Sequence, residues 1–381
     1  MPANLLTVFC VALAACDSPE PALARDTVVA DTGKRVRALD GRLSVPRGFK
    51  VAYFAKELKG VRMMALGPSG VVYASQPRSS RVVRLPDANR DNVADSIQVA
   101  VSGLTRPTGL AFRGDWLYIA NSDALVRVRL DANGLASGKP EELAKFSGTN
   151  GHSTRTVVIG ADSALYVSIG SSCNLCIEEH EDRATVMRYD LDGKNGRVFS
   201  KGLRNAVGVA VHPSTKEIWV TTHERDNLKP DHQNLPPEEI DILKDGADYG
   251  WPYCHSDRVP NPEYNDRARC ASTELPALMM QAHSAPLGIA FLANAKRFPK
   301  DYRGDALVAF HGSWNRDQPT GAKVVRIRTA KNKPVRYEDF VTGWQLKDGS
   351  RWGRPVDVVV TTDGSVLISD DDGGAIYRVY R

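Results

Sequence analysis

The sequence predicts an all-β chain, a six-bladed β-propeller of four-stranded antiparallel blades. Three observations predict it. Apolar runs of strand length alternate with Gly- and Asp-rich turns from Leu43 to the C-terminus, with the period of strands rather than helices. One cassette of three such runs recurs six times, and repeats of roughly 40–50 residues built from four strands are the mark of propeller blades. The 31 glycines and 22 prolines among 381 residues favour turns over long helices. A pair of β-sandwiches is the alternative, and it leaves six like cassettes unexplained.

Residues 1–24 read as an export signal and linker, outside the fold. Leu5 to Ala15 is apolar, and Leu13-Ala14-Ala15-Cys16 resembles a bacterial lipobox in which Cys16 is lipidated and becomes the mature N-terminus. Cleavage after Ala24 would instead release a soluble protein. Both routes export the chain, and the expectation is a periplasmic protein anchored by lipid at Cys16. No later segment approaches the ~20 apolar residues that span a bilayer.

The propeller occupies residues 43–381. LSVPRGFKVAYFA, from Leu43, is placed as the outer strand of the last blade, so that the chain ends pair. Cassettes start at Met63 (MMALGPSGVVYASQPRSSRVVRL), Gly109 (GLAFRGDWLYIANSDALVRVRL) and Thr156 (TVVIGADSALYVSIG, then VMRYDLDG). They continue at Gly208 (GVAVHPSTKEIWVTT, then EEIDIL), Gly288 (GIAFLANAKRFPKDYRGDALVAFHGSW, then KVVRIRT) and Asp357 (DVVVTTDGSVLISDDDGGAIYRVYR). The fourth and fifth carry longer insertions, notably 224–238 and 251–283.

Export makes the cysteines legible. Cys10 leaves with the signal and Cys16 would carry lipid, so Cys173, Cys176, Cys254 and Cys270 remain, and four allow three pairings. The local pairing, Cys173–Cys176 with Cys254–Cys270, is expected because each closes a short loop; a structural zinc site is the alternative. Ile177 stands where covalent haem attachment needs a histidine. A formal net charge of +5, without a Lys/Arg run that could track a phosphate backbone, argues against a nucleic-acid partner.

In a propeller the connection leading into each blade's innermost strand lies at one mouth of the central channel. Just ahead of that strand stand Arg62, Arg106, His152 with Arg155, Arg204 with Asn205, His283, and Arg354. A converging ring of like charge is hard to pair internally and predicts a pocket for a compact or planar, multiply anionic ligand. The insertion THERDNLKPDHQNLPPEEID brings Glu224, Asp226, Glu238 and Glu239 to the same neighbourhood, where carboxylates and loop carbonyls suit a hard cation such as calcium. His152, in TNGHSTR, is the candidate general base; a structural histidine capping a loop is the alternative.

GHSTRTVVIG, KGLRNAVGVAVHP, EEIDILKDGADYGWP, AHSAPLGIAF and RPVDVVVTTDGSVLISD together resemble the soluble quinoprotein glucose/sorbosone dehydrogenases, and most closely the L-sorbosone-dehydrogenase-like branch. The resemblance covers residues 43 to 381. It implies a six-bladed propeller that binds pyrroloquinoline quinone and calcium and oxidises aldehydes or the anomeric hydroxyl of sugars. It implies His152 as the base and Arg204 with Asn205 on the cofactor's carbonyl and carboxylate oxygens, Arg204 also stabilising the developing oxyanion. Arg354 matches a cofactor-carboxylate arginine, and Arg62 and Arg155 join it from the ring. The calcium site falls on the main chain of 222–226, hence Glu224 and Arg225, with Glu238. The chain departs from the pattern at Gly151, where the best-known members have Asp, and at Val356, where they have a second arginine. Arg316 and Lys323 stand at shifted positions for a blade-five lysine, and the calcium loop is longer.

The expected function is therefore sugar or aldehyde oxidation, with electrons passed to an acceptor outside the chain. A calcium-dependent lactonase on the same scaffold and a non-catalytic glycan- or protein-binding propeller are the competing classes.

Overall fold

A computed structural model describes residues 35–148 and 150–381, so the expectations for residues 1–24, including Cys10 and Cys16, fall outside the described residues. Six four-stranded antiparallel sheets form a six-bladed propeller. Blade one comprises Met64–Leu66, Val72–Gln76, Arg81–Leu85 and Gln98–Ser102. Blades two to six have first strands Gly109–Arg113, Arg155–Ile159, Ala206–Val211, Pro286–Phe291 and Pro355–Val360. Each first strand packs against that of the next blade, and the sixth against the first. Ring closure is as expected: Lys50–Ala55 pairs with Ala375–Tyr380 as the outer strand of blade six. A hairpin of Arg35–Ala38 and Leu43–Pro46 precedes it.

The repeat puts small or hydroxylic residues where blades touch. A Cβ on Gly109 would lie 2.5 Å from Val157 N, and one on Gly208 would collide with the Leu287 carbonyl, so each glycine admits the neighbouring strand's backbone. Thr108 Oγ1 donates to Arg155 O (2.5 Å), Thr156 Oγ1 to Val207 O (2.6 Å) and Thr221 Oγ1 to Leu287 O (2.7 Å), stitching consecutive blades. Blade faces are apolar and interlock. Odd positions of Ile218–Thr222 such as Trp219 pack towards blade five, while Ile218 and Val220 pack towards blade three.

Both long insertions belong to blade four, which corrects their division between the fourth and fifth cassettes. Residues 224–237 separate its second strand, Ile218–Thr222, from its third, Glu238–Leu243, and residues 251–277 precede its fourth, Leu278–Met280. Both expected disulfides are present, Cys173–Cys176 and Cys254–Cys270. Among the described residues no helix is long and apolar enough to cross a membrane.

Candidate active site

One face of the ring receives two sets of loops: those leading into each first strand and those joining second to third strands. Between them, over blades five, six, one, two and three, lies a cavity of about 800 Å³ whose wall includes Arg62, Arg78, Arg106, Arg354, His311 and Asp371. Arg62 Nη1 pairs with Asp371 Oδ2 at 2.8 Å, and His311 Nε2 lies 2.9 Å from Asp371 Oδ1. Arg354 is held in place from behind, donating to the carbonyls of His311 (3.0 Å) and Gly312 (2.9 Å). Among the described residues Arg78 and Arg106 have no carboxylate partner. Four arginines thus face two aspartates, Asp371 and Asp372, across one opening. Burial pulls the His311 imidazole down to about 4, so it is neutral and donates to Asp371. Burial opposes the Asp371 charge, but His311 and Arg62 hold its carboxyl well below the usual carboxylate range.

Ser153 and Thr154 join the cavity wall, and His152 precedes them. His152 Nδ1 lies 2.9 Å from Ser171 Oγ and 3.1 Å from Ser171 O. The carbonyl can only accept, so Nδ1 carries the proton and Nε2 keeps its lone pair. Burial, then the nearby Arg204 guanidinium, pulls this imidazole down to about 4, and it is neutral, with a free lone pair, across the physiological range. Gly170 makes room for the group: a Cβ there would stand 2.7 Å from His152 Cβ and 2.5 Å from Asn205 Oδ1. Gly151 has φ +64°, and a Cβ would strike the Ser172 carbonyl, so the aspartate of related sequences does not fit this loop.

Arg204 differs from its sequence-based role. It is 4% exposed, and its five N–H groups point at protein acceptors. Nε donates to Asn174 O (3.0 Å), Nη1 to Glu224 O (2.7 Å) and His223 O (3.4 Å), and Nη2 to Asn174 Oδ1 (2.9 Å) and Asp226 Oδ2 (3.5 Å). It braces the site and sets the field at His152; its donors are already committed. Asn205 is the available polar group beside it, its Oδ1 buried and unpartnered. Arg155 is also corrected. It is fully buried in blade three, bonded to the carbonyls of His152 (2.5 Å) and Thr154 (3.1 Å), and does not line the cavity. His283 turns away to His232 O (2.7 Å) and Asp226 Oδ1 (3.4 Å).

Neither shifted cation reaches the cavity: Lys323 pairs with Asp339 (2.7 Å), and Arg316 bonds the carbonyls of Gln233 and Ala282. His311 occupies the blade-five place instead. Val356 packs with Met63, Val207 and Leu287 as an apolar plug, which leaves no room for a second arginine. Sequence reasoning counted only positions ahead of first strands and so missed Arg78, Asn174, His223, His311 and Asp371. All five follow a second strand, an equally regular offset that holds a second polar ring.

At the expected calcium loop, the carbonyls of His223, Glu224 and Asp226 already accept from Arg204 or Asn174, and the Arg225 side chain is paired with Glu263 (2.6 Å) and Asn261 (3.0 Å). Glu238 accepts from Glu224 N (2.8 Å) and Ala285 N (3.1 Å), and burial pushes it up to about 7. Glu224, Glu239 and Asp241 are buried with one unpartnered oxygen each, and burial together with mutual repulsion raises Glu224 and Glu239, while burial raises Asp241.

A family profile described as TrAA12-like matches residues 43–381, and the chain belongs to that family. An uncharacterized protein of Borreliella burgdorferi is 30% identical over 89% of this chain and 90% of its own length. A pyrroloquinoline quinone-dependent pyranose dehydrogenase of Coprinopsis cinerea is 26% identical over 80% of this chain, which spans 57% of that relative. The holo form of the quinone domain of Coprinopsis cinerea pyranose dehydrogenase superposes with a TM-score of 0.76 over 93% of this chain and 100% of that domain, at 22% identity. The calcium structure of the Trichoderma reesei family AA12 enzyme gives 0.78 over 93% and 98%, at 20% identity. These two likenesses establish the shared fold.

Proposed function

We propose that this chain is a quinoprotein oxidoreductase that oxidises an aldose sugar or a sugar aldehyde of the sorbosone kind, with pyrroloquinoline quinone in the arginine-walled cavity. One observation carries the reading: four arginines converge on one opening, three of them without a carboxylate partner among the described residues, where a polyanion would be held. When bound, the quinone supplies three carboxylates for that wall and a two-electron acceptor for hydride. Arg106, Arg78, Arg354 and Arg62 would hold it. The C–H electron pair of the anomeric carbon, or of an aldehyde carbon hydrated by water, leaves as hydride while His152 Nε2 takes the proton of the hydroxyl on that carbon, which its neutral state permits. Burial, and then the adjacent Arg204 charge, keeps His152 neutral.

Calcium belongs to the same proposal on the buried carboxylates Glu224, Glu239 and Asp241, each with an unpartnered oxygen, which would have to draw together to share one ion. An external electron acceptor and a periplasmic, lipid-anchored location complete the proposal, supported by two disulfides and the apolar run before Cys16. The test is dye reduction by quinone-loaded protein across a panel of aldoses and sugar aldehydes. Sugar-dependent reduction is expected; a loaded protein inert to every member would overturn the reading.

A further inference from the structure

Cys173 and Cys176 close a loop of sequence separation 3, against 16 for Cys254 and Cys270. Cross-linking so short a loop restrains the unfolded chain little, so its main effect is on local geometry. That local geometry carries both candidate catalytic residues. Asn174, inside the loop, accepts from Arg204 Nε at its carbonyl and from Arg204 Nη2 at Oδ1. The same Oδ1 accepts from Asp226 N (2.8 Å), Nδ2 donates to Asp226 O (3.0 Å), and Trp251 Nε1 donates to the carbonyl (3.3 Å). On the other side of Cys173, Ser171 Oγ donates to the Cys173 carbonyl (2.7 Å) and is the partner of His152 Nδ1. Ser172 N is anchored on Glu178 Oε1 (2.7 Å).

We propose that the disulfide-closed turn 171–176 is the positioning device of this site, with Asn174 as the positioning residue that fixes Arg204 and the 223–226 loop while Ser171 orients His152. This rests on the reading of His152 as the base. The turn links the second and third strands of blade three and hydrogen-bonds Arg204 of blade four, so one rigid loop sets the distance between the imidazole and the guanidinium. The charged and titratable groups that face His152 are Arg204 and Asp226 of blade four and Arg183 of blade three, with His223 beside them. Loosening Asn174 frees Arg204 and, through the 223–226 loop, Asp226, whose opposing effect on His152 is the smaller of the two, and leaves Arg183 in place.

The experiment compares Asn174→Ala, Asn174→Asp and the double variant Cys173→Ser/Cys176→Ser with the parent. In the apo-protein, NMR titration of the His152 imidazole should give a midpoint higher by about one unit in Asn174→Ala and the double variant, the change one removed neighbouring charge produces. Asn174→Asp keeps acceptors for Arg204 but adds a negative charge beside it, so its midpoint should rise as well, while its kcat stays closer to the parent than that of Asn174→Ala. In quinone-loaded protein, kcat should fall about tenfold or more with KM within about threefold, and the acid limb of the pH profile should move up with the midpoint. An unmoved His152 midpoint in Asn174→Ala, with only the melting temperature lowered, would overturn the proposal. The NMR arm needs neither cofactor nor turnover, so it decides this point even if the dehydrogenase reading fails. Should the double variant not fold, the Asn174 pair suffices.

Discussion

Arg106 and Arg204 occupy the same place in their cassettes, just ahead of the first strand, and meet opposite surroundings. Arg106 stands exposed on the wall of the cavity with no carboxylate partner among the described residues. Arg204 is buried, and its guanidinium is committed to Asn174, His223, Glu224 and Asp226. The difference comes from the blade-three turn that carries Asn174 and the blade-four insertion after Thr222, which together supply the acceptors that Arg106 lacks. A free cation is available to a ligand; a satisfied one is a brace. The channel mouth therefore divides into a binding side on blades six, one and two and a reacting side on blades three and four.

Substitutions on the two sides should separate binding from chemistry. The largest effect falls on the reacting side: His152→Ala should lower turnover by about 10²–10⁴-fold while leaving quinone affinity unchanged, measured by dye reduction beside a binding titration. Loss of affinity with normal turnover per bound cofactor would erase the division. Next, Arg204→Ala should destabilise the fold by about 3–5 kcal/mol, because it leaves buried acceptors and Asp226 without their cation, and should change affinity less than stability. Denaturant unfolding with a parallel titration checks this. On the binding side Arg106→Ala should weaken quinone binding by about 1.5–3 kcal/mol, roughly ten- to a hundredfold, with the melting temperature nearly unchanged.

Smaller effects follow from pH. His152 and His311 are depressed to about 4 from 6.5, so the stability they contribute is present above pH 6.5 and is lost as pH falls towards 4. Glu238 is raised from 4.5 to about 7 and Asp357 from 3.8 to about 7, so their contribution is present below the unfolded values and is lost as pH rises through 7. Metal-free protein should be most stable in mildly acid solution, and thermal unfolding from pH 4 to 9 reads both limbs. Calcium should remove part of the alkaline loss if the carboxylates of blade four hold it. The smallest effect sharpens that point: Glu224→Gln should stabilise metal-free protein at pH 8 by about 1 kcal/mol, by removing one of the mutually repelling charges, and abolish the response to calcium. A calcium response that survives the substitution removes Glu224 from the ion's ligands.

The blades were legible because each repeats the same apolar triplets and turns, and every cassette found in the sequence is a blade of the structure. The polar ring was half legible. Position in the repeat shows which residues approach the channel, hence Arg62, Arg106, His152 and Arg354. It does not show which of them are already satisfied, because Arg204 and Arg155 are paired by carbonyls and by Asn174, on segments with no periodicity. His311 and Asp371 were within reach, since both follow a second strand as regularly as the first ring precedes a first strand. Gly151 and Val356 read as departures from a pattern until packing gave the reasons: a left-handed turn against Ser172 and an apolar plug across the channel.

The most direct measurement is a titration of apo-protein with pyrroloquinoline quinone, followed by absorbance, for the parent and Arg106→Ala side by side. The account predicts stoichiometric binding to the parent and about ten- to a hundredfold weaker binding to the variant. A parent that does not bind, or a variant that binds equally well, would contradict the assignment of the arginine-walled cavity to the cofactor.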